Sequence, residues 1–291
     1  MYRGVFTALI TPFTSHGEVD ETSLRALVDV QIDSGISGLV PVGTTGESPT
    51  VSHEENIRIV EVVCEQAAGR VPVIAGTGSN STSEAVDMTR RAKDVGASAS
   101  LQVSPYYNKP SQEGLYRHFS TVADEGGLPV VIYNIPGRTG KNIENDTMVR
   151  LAPHPNIVGV KEASGSMAQV MELIHARPDD FCVLSGDDNL SFPITMLGGD
   201  GVISVASNIV PDRMSAMIER ALAGDVKTAR EQFYTLLPLF RAMFLDTNPI
   251  PVKYAMAALG RCEEVYRLPM CELAEHAKHT LDGVLDKLNI R

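Results

Sequence analysis

Lys161 closes the apolar run Ile157-Val158-Gly159-Val160 and is followed by Glu162. A lysine at the end of a buried strand carries its amine in a low dielectric, which disfavours the charged form. With an ordinary pKa near 10.4, only about 1 lysine in 2,500 is neutral at pH 7. A pKa lowered to roughly 7–8 makes the free amine common, and such an amine attacks a carbonyl to give a Schiff base. The competing role is a lysine whose stem lies on apolar surface while its head reaches water. Tyr133 and Tyr107 end two other apolar stretches. Phenols there can donate or relay protons beside an imine, or they can pack and bond to carbonyls.

Two further groups could hold anions. Thr44 and Thr45 stand between Gly43 and Gly46, so two hydroxyls and several backbone N–H groups can face one point. That arrangement holds a carboxylate or caps the following helix. Arg138, flanked by Gly137, Thr139 and Gly140 on a loop, offers a guanidinium able to grip a carboxylate with two parallel bonds. Other patterns fail. Gly76-Thr77-Gly78 is too short for a dinucleotide fingerprint, and Gly140-Lys141 lacks the upstream glycine of a phosphate loop because position 135 is Ile. Asp187-Asp188 has no nearby histidine or third carboxylate, and such pairs cap helices, so no metal is expected. His276 and His279 have ligand-like spacing but are expected on a solvated helix face.

The elements that must position these residues are short, continuous apolar runs: Val5–Ile10, Gly38–Val42, Val71–Ala75, Ala97–Val103, Pro129–Tyr133, Ile157–Val160, Phe181–Leu184 and Gly201–Val205. Continuous rather than alternating apolarity suits strands buried on both faces. Helical patterns lie between them. Asp20–Ser34 is stopped by Gly35, and Ser52–Ala68 opens on the capping box Ser52/Glu55, which Ser81/Glu84 repeats further on. Eight strands alternating with helices predict a parallel (β/α)8 TIM barrel, with an open doubly wound sheet as the alternative. Chemistry then belongs at the C-terminal strand ends, where the residues above fall. After Val210 only helices are expected: Pro211–Ala223, Asp225–Phe240, Pro249–Leu259 and Pro269–Leu288. We divide the chain into a catalytic barrel, 1–224, and a C-terminal helical domain, 225–291.

Composition narrows the field of functions. Of 291 residues, 43% are hydrophobic and 21% charged, which is globular rather than disordered. The 25 basic against 36 acidic residues give a net charge of −11, which repels nucleic acid. Cys64, Cys182, Cys262 and Cys271 lack metal or redox spacing and are expected as buried thiols. No signal-peptide pattern and no run of about 18 apolar residues occurs, so no membrane contact and a cytoplasmic location are expected.

Taken together, Gly43-Thr44-Thr45-Gly46-Glu47-Ser48, Ser104-Pro105-Tyr106-Tyr107-Asn108-Lys109-Pro110, Tyr133 to Gly140, Val160-Lys161-Glu162-Ala163, Ser185-Gly186-Asp187-Asp188 and Gly201 to Val205 resemble the pyruvate-dependent class I aldolases. Within that superfamily the chain is most similar to the dihydrodipicolinate synthase family, along essentially its whole length. Asn248-Pro249 and Pro251-Val252-Lys253 fit too. The resemblance implies a Schiff base between Lys161 and pyruvate, no cofactor beyond that imine, and a proton relay of Tyr133, Thr44 and Tyr107. Thr45 would hold the pyruvate carboxylate and Arg138 that of L-aspartate 4-semialdehyde, with the backbone at Gly186 and Ile203 lining the site. Tyr107 would reach a neighbouring subunit, implying a homotetramer built as a dimer of dimers. L-Lysine as feedback inhibitor would meet Ser48, Pro49, His53, Asn56, Asn80, Glu84 and Tyr106. Gly137, Pro49 and Asn56 depart from the family pattern. Arg138-Thr139-Gly140 sets the chain apart from neuraminate lyases and sugar-acid aldolases. A catalytically silent, amino-acid-sensing barrel is disfavoured by intact Lys161, Tyr133 and Tyr107.

Overall fold

The structure, a computed structural model, describes residues 2–290. Eight parallel strands alternate with helices from the start of the chain. They are β1 (Gly4–Ala8), β2 (Gly38–Val40), β3 (Ile74–Gly76), β4 (Ala99–Val103), β5 (Val130–Asn134), β6 (Ile157–Glu162), β7 (Cys182–Ser185) and β8 (Gly201–Ser204). The intervening helices are α1 (Glu21–Asp33), α2 (His53–Ala67), α3 (Thr82–Asp94), α4 (Gln112–Glu125), the single turn α5 (Pro136–Thr139), α6 (Asn145–Leu151), α7 (Met167–Ala176) and α8 (Asp188–Met196). The sheet runs β2-β1-β8-β7-β6-β5-β4-β3. Its two ends meet through the parallel bridge Leu39–Val73, where the Leu39 N–H donates to Pro72 O at 3.0 Å and the Gly76 N–H to Pro41 O at 3.0 Å. The result is the expected (β/α)8 barrel.

Side-chain alternation divides the interior. Phe6, Ala8, Val131, Tyr133, Leu184 and Ile203 fill the barrel, while Val5, Val130, Ile132 and Val183 face the surrounding helices. Most strands are thus apolar on both sides, as a continuous hydrophobic run requires, but β4 carries the buried polar pair Ser100 and Gln102, and Gln102 hydrogen-bonds Thr77 and Thr89. Residues Tyr133, Lys161 and Leu184 are direct partners across β5, β6 and β7, so one layer of the barrel carries the lysine beside the tyrosine.

The tail is helical: α9 (Pro211–Leu222), α10 (Val226–Ala242), α11 (Ile250–Ala258) and α12 (Glu275–Lys287). Helix α10 packs on α8 and α9, and α12 on α10 and α11. One apolar cluster runs without a break from Val5 and Val202 through Phe240 and Val252 to Leu285. No helix among the described residues is long and apolar enough to cross a membrane.

Several local expectations are corrected. The Ser52/Glu55 capping box forms, with both reciprocal hydrogen bonds. The second does not: Ser81 caps nothing, because Glu84 is taken by Ser79 Oγ and by His53. The last helix starts at Glu275, not Pro269, and β6 runs on through Lys161 and Glu162. Cys182 is buried, Cys64 and Cys262 are half-buried, and Cys271 is exposed. Arg138 belongs to a helical turn rather than a loop.

Candidate active site

Lys161 lies near the C-terminal end of β6, 4% exposed, with Nζ 4.2 Å from the ring centroid of Tyr133 on β5. Burial lowers its ammonium to about 8; Asp188 opposes that fall and the positive Arg138 adds to it. About one molecule in ten therefore carries a neutral amine at pH 7. Burial pushes the Tyr133 phenol up to about 12, against the pull of a hydrogen bond with Thr44 and of Arg138. It keeps its proton at neutral pH and is suited to pass one on. Gly186 follows β7 and packs on the lysine stem, where a Cβ would stand 3.1 Å from both Cγ and Cε. Ile203 faces the same interior from β8.

The loop after β2 is held from a distance. Thr45 is 2% exposed, and its Oγ1 accepts the Asn248 Nδ2–H at 3.0 Å. Glu47, with φ of 54°, ends the loop and accepts from Lys253 Nζ on α11 at 2.6 Å. Both side chains of this ion pair are buried, and Nζ also lies 4.1 Å from the Phe13 ring centroid. Loss of either partner would strand a buried charge, at a cost of about 3–5 kcal/mol. The same Asn248 also meets Arg138, whose Nη2 donates to its backbone carbonyl at 3.2 Å.

Two carboxylates near the lysine in sequence or space, Glu162 and Asp188, have partners that the sequence did not indicate. Glu162 is buried and accepts from Asn134 Nδ2 at 3.1 Å and from the Ser164 N–H at 2.6 Å; burial raises its pKa. Asp188 Oδ2 accepts the N–H groups of Val205 at 3.0 Å and Ala206 at 2.8 Å, fastening the β7 loop to the end of β8. Burial pushes its carboxyl up to about 6. Its neighbour Asp187 caps α8 through the Asn189 N–H at 2.8 Å. The signal for Glu162 was adjacency to Lys161, and for Lys253 a charged residue inside the apolar helix α11; Asn248, on a connector, and Glu47, in a loop, carried no local signal.

A cavity of about 420 Å³ reaches from Thr44, Tyr133 and Arg138 to His53, Glu84 and Tyr106. Ser48, Pro49 and Asn56 line it as well. His53 Nε2 and Glu84 Oε1 are 2.9 Å apart. Asn56 Nδ2 donates to Gly76 O at 3.2 Å, leaving its Oδ1 buried without a partner. Asn80 lies outside the lining; its amide donates to Tyr106 O at 3.1 Å. Tyr107 is also not brought to Lys161 within the chain. It sits four residues beyond β4, 90% exposed, with φ of 71°.

Tyr133, Thr44 and Arg138 line the cavity, and the deep Lys161 amine of lowered pKa lies behind them against the Tyr133 ring, an arrangement able to form and use an imine. Residues 1–288 match the model of the dihydrodipicolinate synthetase family. The 4-hydroxy-tetrahydrodipicolinate synthase of Pelobacter propionicus is 50% identical over 285 residues, covering 98% of each chain. The chloride-inhibited dihydrodipicolinate synthase of Acinetobacter baumannii complexed with pyruvate superposes with a TM-score of 0.98 at 43% identity, covering 100% of both chains. The enzyme of Cyanidioschyzon merolae with lysine bound gives a TM-score of 0.97 at 39% identity, covering 100% of this chain and 99% of that one.

Proposed function

The chain belongs to the dihydrodipicolinate synthetase family, and on that premise we propose how its residues divide the work. It is a lyase that condenses pyruvate with L-aspartate 4-semialdehyde to 4-hydroxy-tetrahydrodipicolinate in lysine and diaminopimelate biosynthesis.

The neutral amine of Lys161 attacks the pyruvate ketone, and loss of water leaves a protonated imine. The imine draws electrons from the methyl group, a base takes a methyl proton, and the resulting enamine adds to the aldehyde. The substrate's own amine then displaces Lys161 as the ring closes. The imine is itself the electron sink, so no cofactor is required. Tyr133, Thr44 and a neighbouring subunit's Tyr107 carry protons. Thr45 holds the pyruvate carboxylate, Arg138 holds that of the semialdehyde, and Gly186 and Ile203 line the space between. The high exposure of Tyr107 supports its use across a subunit boundary, in a homotetramer of two dimers. The His53–Glu84 end of the cavity receives L-lysine as feedback inhibitor; the lysine-bound relative and the acidic Glu84 support this. The barrel, 1–224, carries the chemistry, the helical domain, 225–291, braces it, and the enzyme works in the cytoplasm.

The observation that carries this reading is the buried Lys161 beside Tyr133. Borohydride reduction with pyruvate is expected to add covalent mass to the peptide containing Lys161; an adduct elsewhere, or none, refutes the mechanism. Arg138→Ala is expected to keep that adduct and lose turnover with the semialdehyde. Unchanged turnover would refute the role of Arg138.

A further inference from the structure

Asn248 sits on the connector between α10 and α11, 5% exposed, and touches both grips. Its Nδ2–H donates to Thr45 Oγ1 at 3.0 Å, and its backbone carbonyl accepts from Arg138 Nη2 at 3.2 Å. Its Oδ1 is buried and makes no hydrogen bond. Five residues further on, Lys253 holds Glu47, two residues beyond Thr45 in the same loop. The tail is thereby fixed to the loop at two points.

An amide nitrogen has only protons to offer. A hydroxyl that accepts one of them keeps its single O–H proton for some other acceptor. We propose that Asn248 is a positioning residue that makes Thr45 a hydrogen-bond donor toward the pyruvate carboxylate while its carbonyl holds Arg138 for the second substrate. The inference rests on the assignment of Thr45 and Arg138 as carboxylate grips. Both grips are then set by one residue of the helical tail, and the donor polarity at Thr45 is decided outside the barrel.

The polarity can be inverted without a large change of shape. In Asn248→Asp the carboxylate accepts only, so it takes the Thr45 proton and turns the hydroxyl lone pairs toward pyruvate. Asn248→Ala removes the donor but leaves the Thr45 proton free. The readout is the pyruvate concentration that half-saturates borohydride trapping on Lys161, with kcat measured at saturating pyruvate. The half-saturating concentration is expected to rise about tenfold or more in Asn248→Asp and about threefold in Asn248→Ala, with kcat within about twofold of wild type. A residue that merely fills space gives the opposite order, because Ala leaves a void and Asp does not; an effect of Ala equal to or larger than that of Asp overturns the proposal. Should Asn248→Asp fail to fold, Thr45→Val alone and combined with Asn248→Ala decides the matter using neutral residues. The proposal expects the double variant to be no worse than Thr45→Val, and additive losses overturn it. If Thr45→Val itself leaves trapping unchanged, the carboxylate assignment fails and this inference falls with it, while an adduct on Lys161 still upholds the imine mechanism.

Discussion

Gly186 and Lys161 touch across adjacent strands: a Cβ on Gly186 would stand 3.1 Å from the lysine Cγ and Cε and 2.8 Å from Ala163 Cβ. The missing side chain is what lets the lysine stem lie flat against the end of β7. Gly186→Ala is therefore expected to push the stem aside and slow imine formation at least about tenfold, at a stability cost of about 1–3 kcal/mol. Trapping rates and denaturant unfolding check both numbers. Wild-type trapping in this variant would show that the stem has room to spare.

The barrel was legible because strands buried on both faces leave uninterrupted apolar runs, and because Lys161, Tyr133 and Arg138 all follow such runs. What escaped was decided by neighbours far apart in sequence. Ser81 with Glu84 matches the capping pattern, yet His53 and Ser79 compete for the carboxylate and win. Glu47 and Lys253 are 206 residues apart, so no local pattern pairs them. The helix expected from Pro269 starts late: Met270 and Leu273 pack on the core from an irregular segment, and α12 begins only at Glu275. Asn248 was noticed only as part of a resemblance, and its two contacts come from the tertiary fold alone.

The reactive form of Lys161 is the neutral amine, and burial places its midpoint at about 8. The single-turnover rate of pyruvate trapping is expected to climb about tenfold per pH unit at acid pH and to level off above pH 8. Asp188 holds a proton on the lysine, so removing its charge in Asp188→Asn moves the midpoint to lower pH. A profile flat from about pH 6 to about pH 9 would contradict a lysine titrating near neutrality.

L-Lysine is expected to inhibit, with its side-chain ammonium taken by Glu84, whose carboxylate already faces His53 at 2.9 Å. Asn56 offers a buried, unpartnered Oδ1 but no charge, so binding is weaker than a histidine at that position would allow. Glu84→Gln is expected to weaken the inhibitor about tenfold while leaving pyruvate trapping intact. The check is a titration of activity with L-lysine at saturating pyruvate, alongside calorimetry. Absence of both inhibition and heat at millimolar lysine would leave His53 and Glu84 as a surface contact only.

Tyr107 stands 90% exposed in a left-handed backbone conformation, while Tyr133 beside it in the proposed relay is 4% exposed. A proton carrier cannot serve Lys161 from there within its own chain, so the active site is expected to be completed by a second copy. The test uses two inactive variants, Lys161→Ala and Tyr107→Ala, dissociated together and reassembled in equal amounts. In a hybrid dimer one site inherits both changes and the other neither. Random pairing makes half the dimers hybrids, so about a quarter of wild-type activity should return through the symmetry of the exchange. If each Tyr107 served its own chain, every site in the mixture would carry one lesion and no activity would reappear, and sedimentation of the mixture would show whether the hybrids had formed.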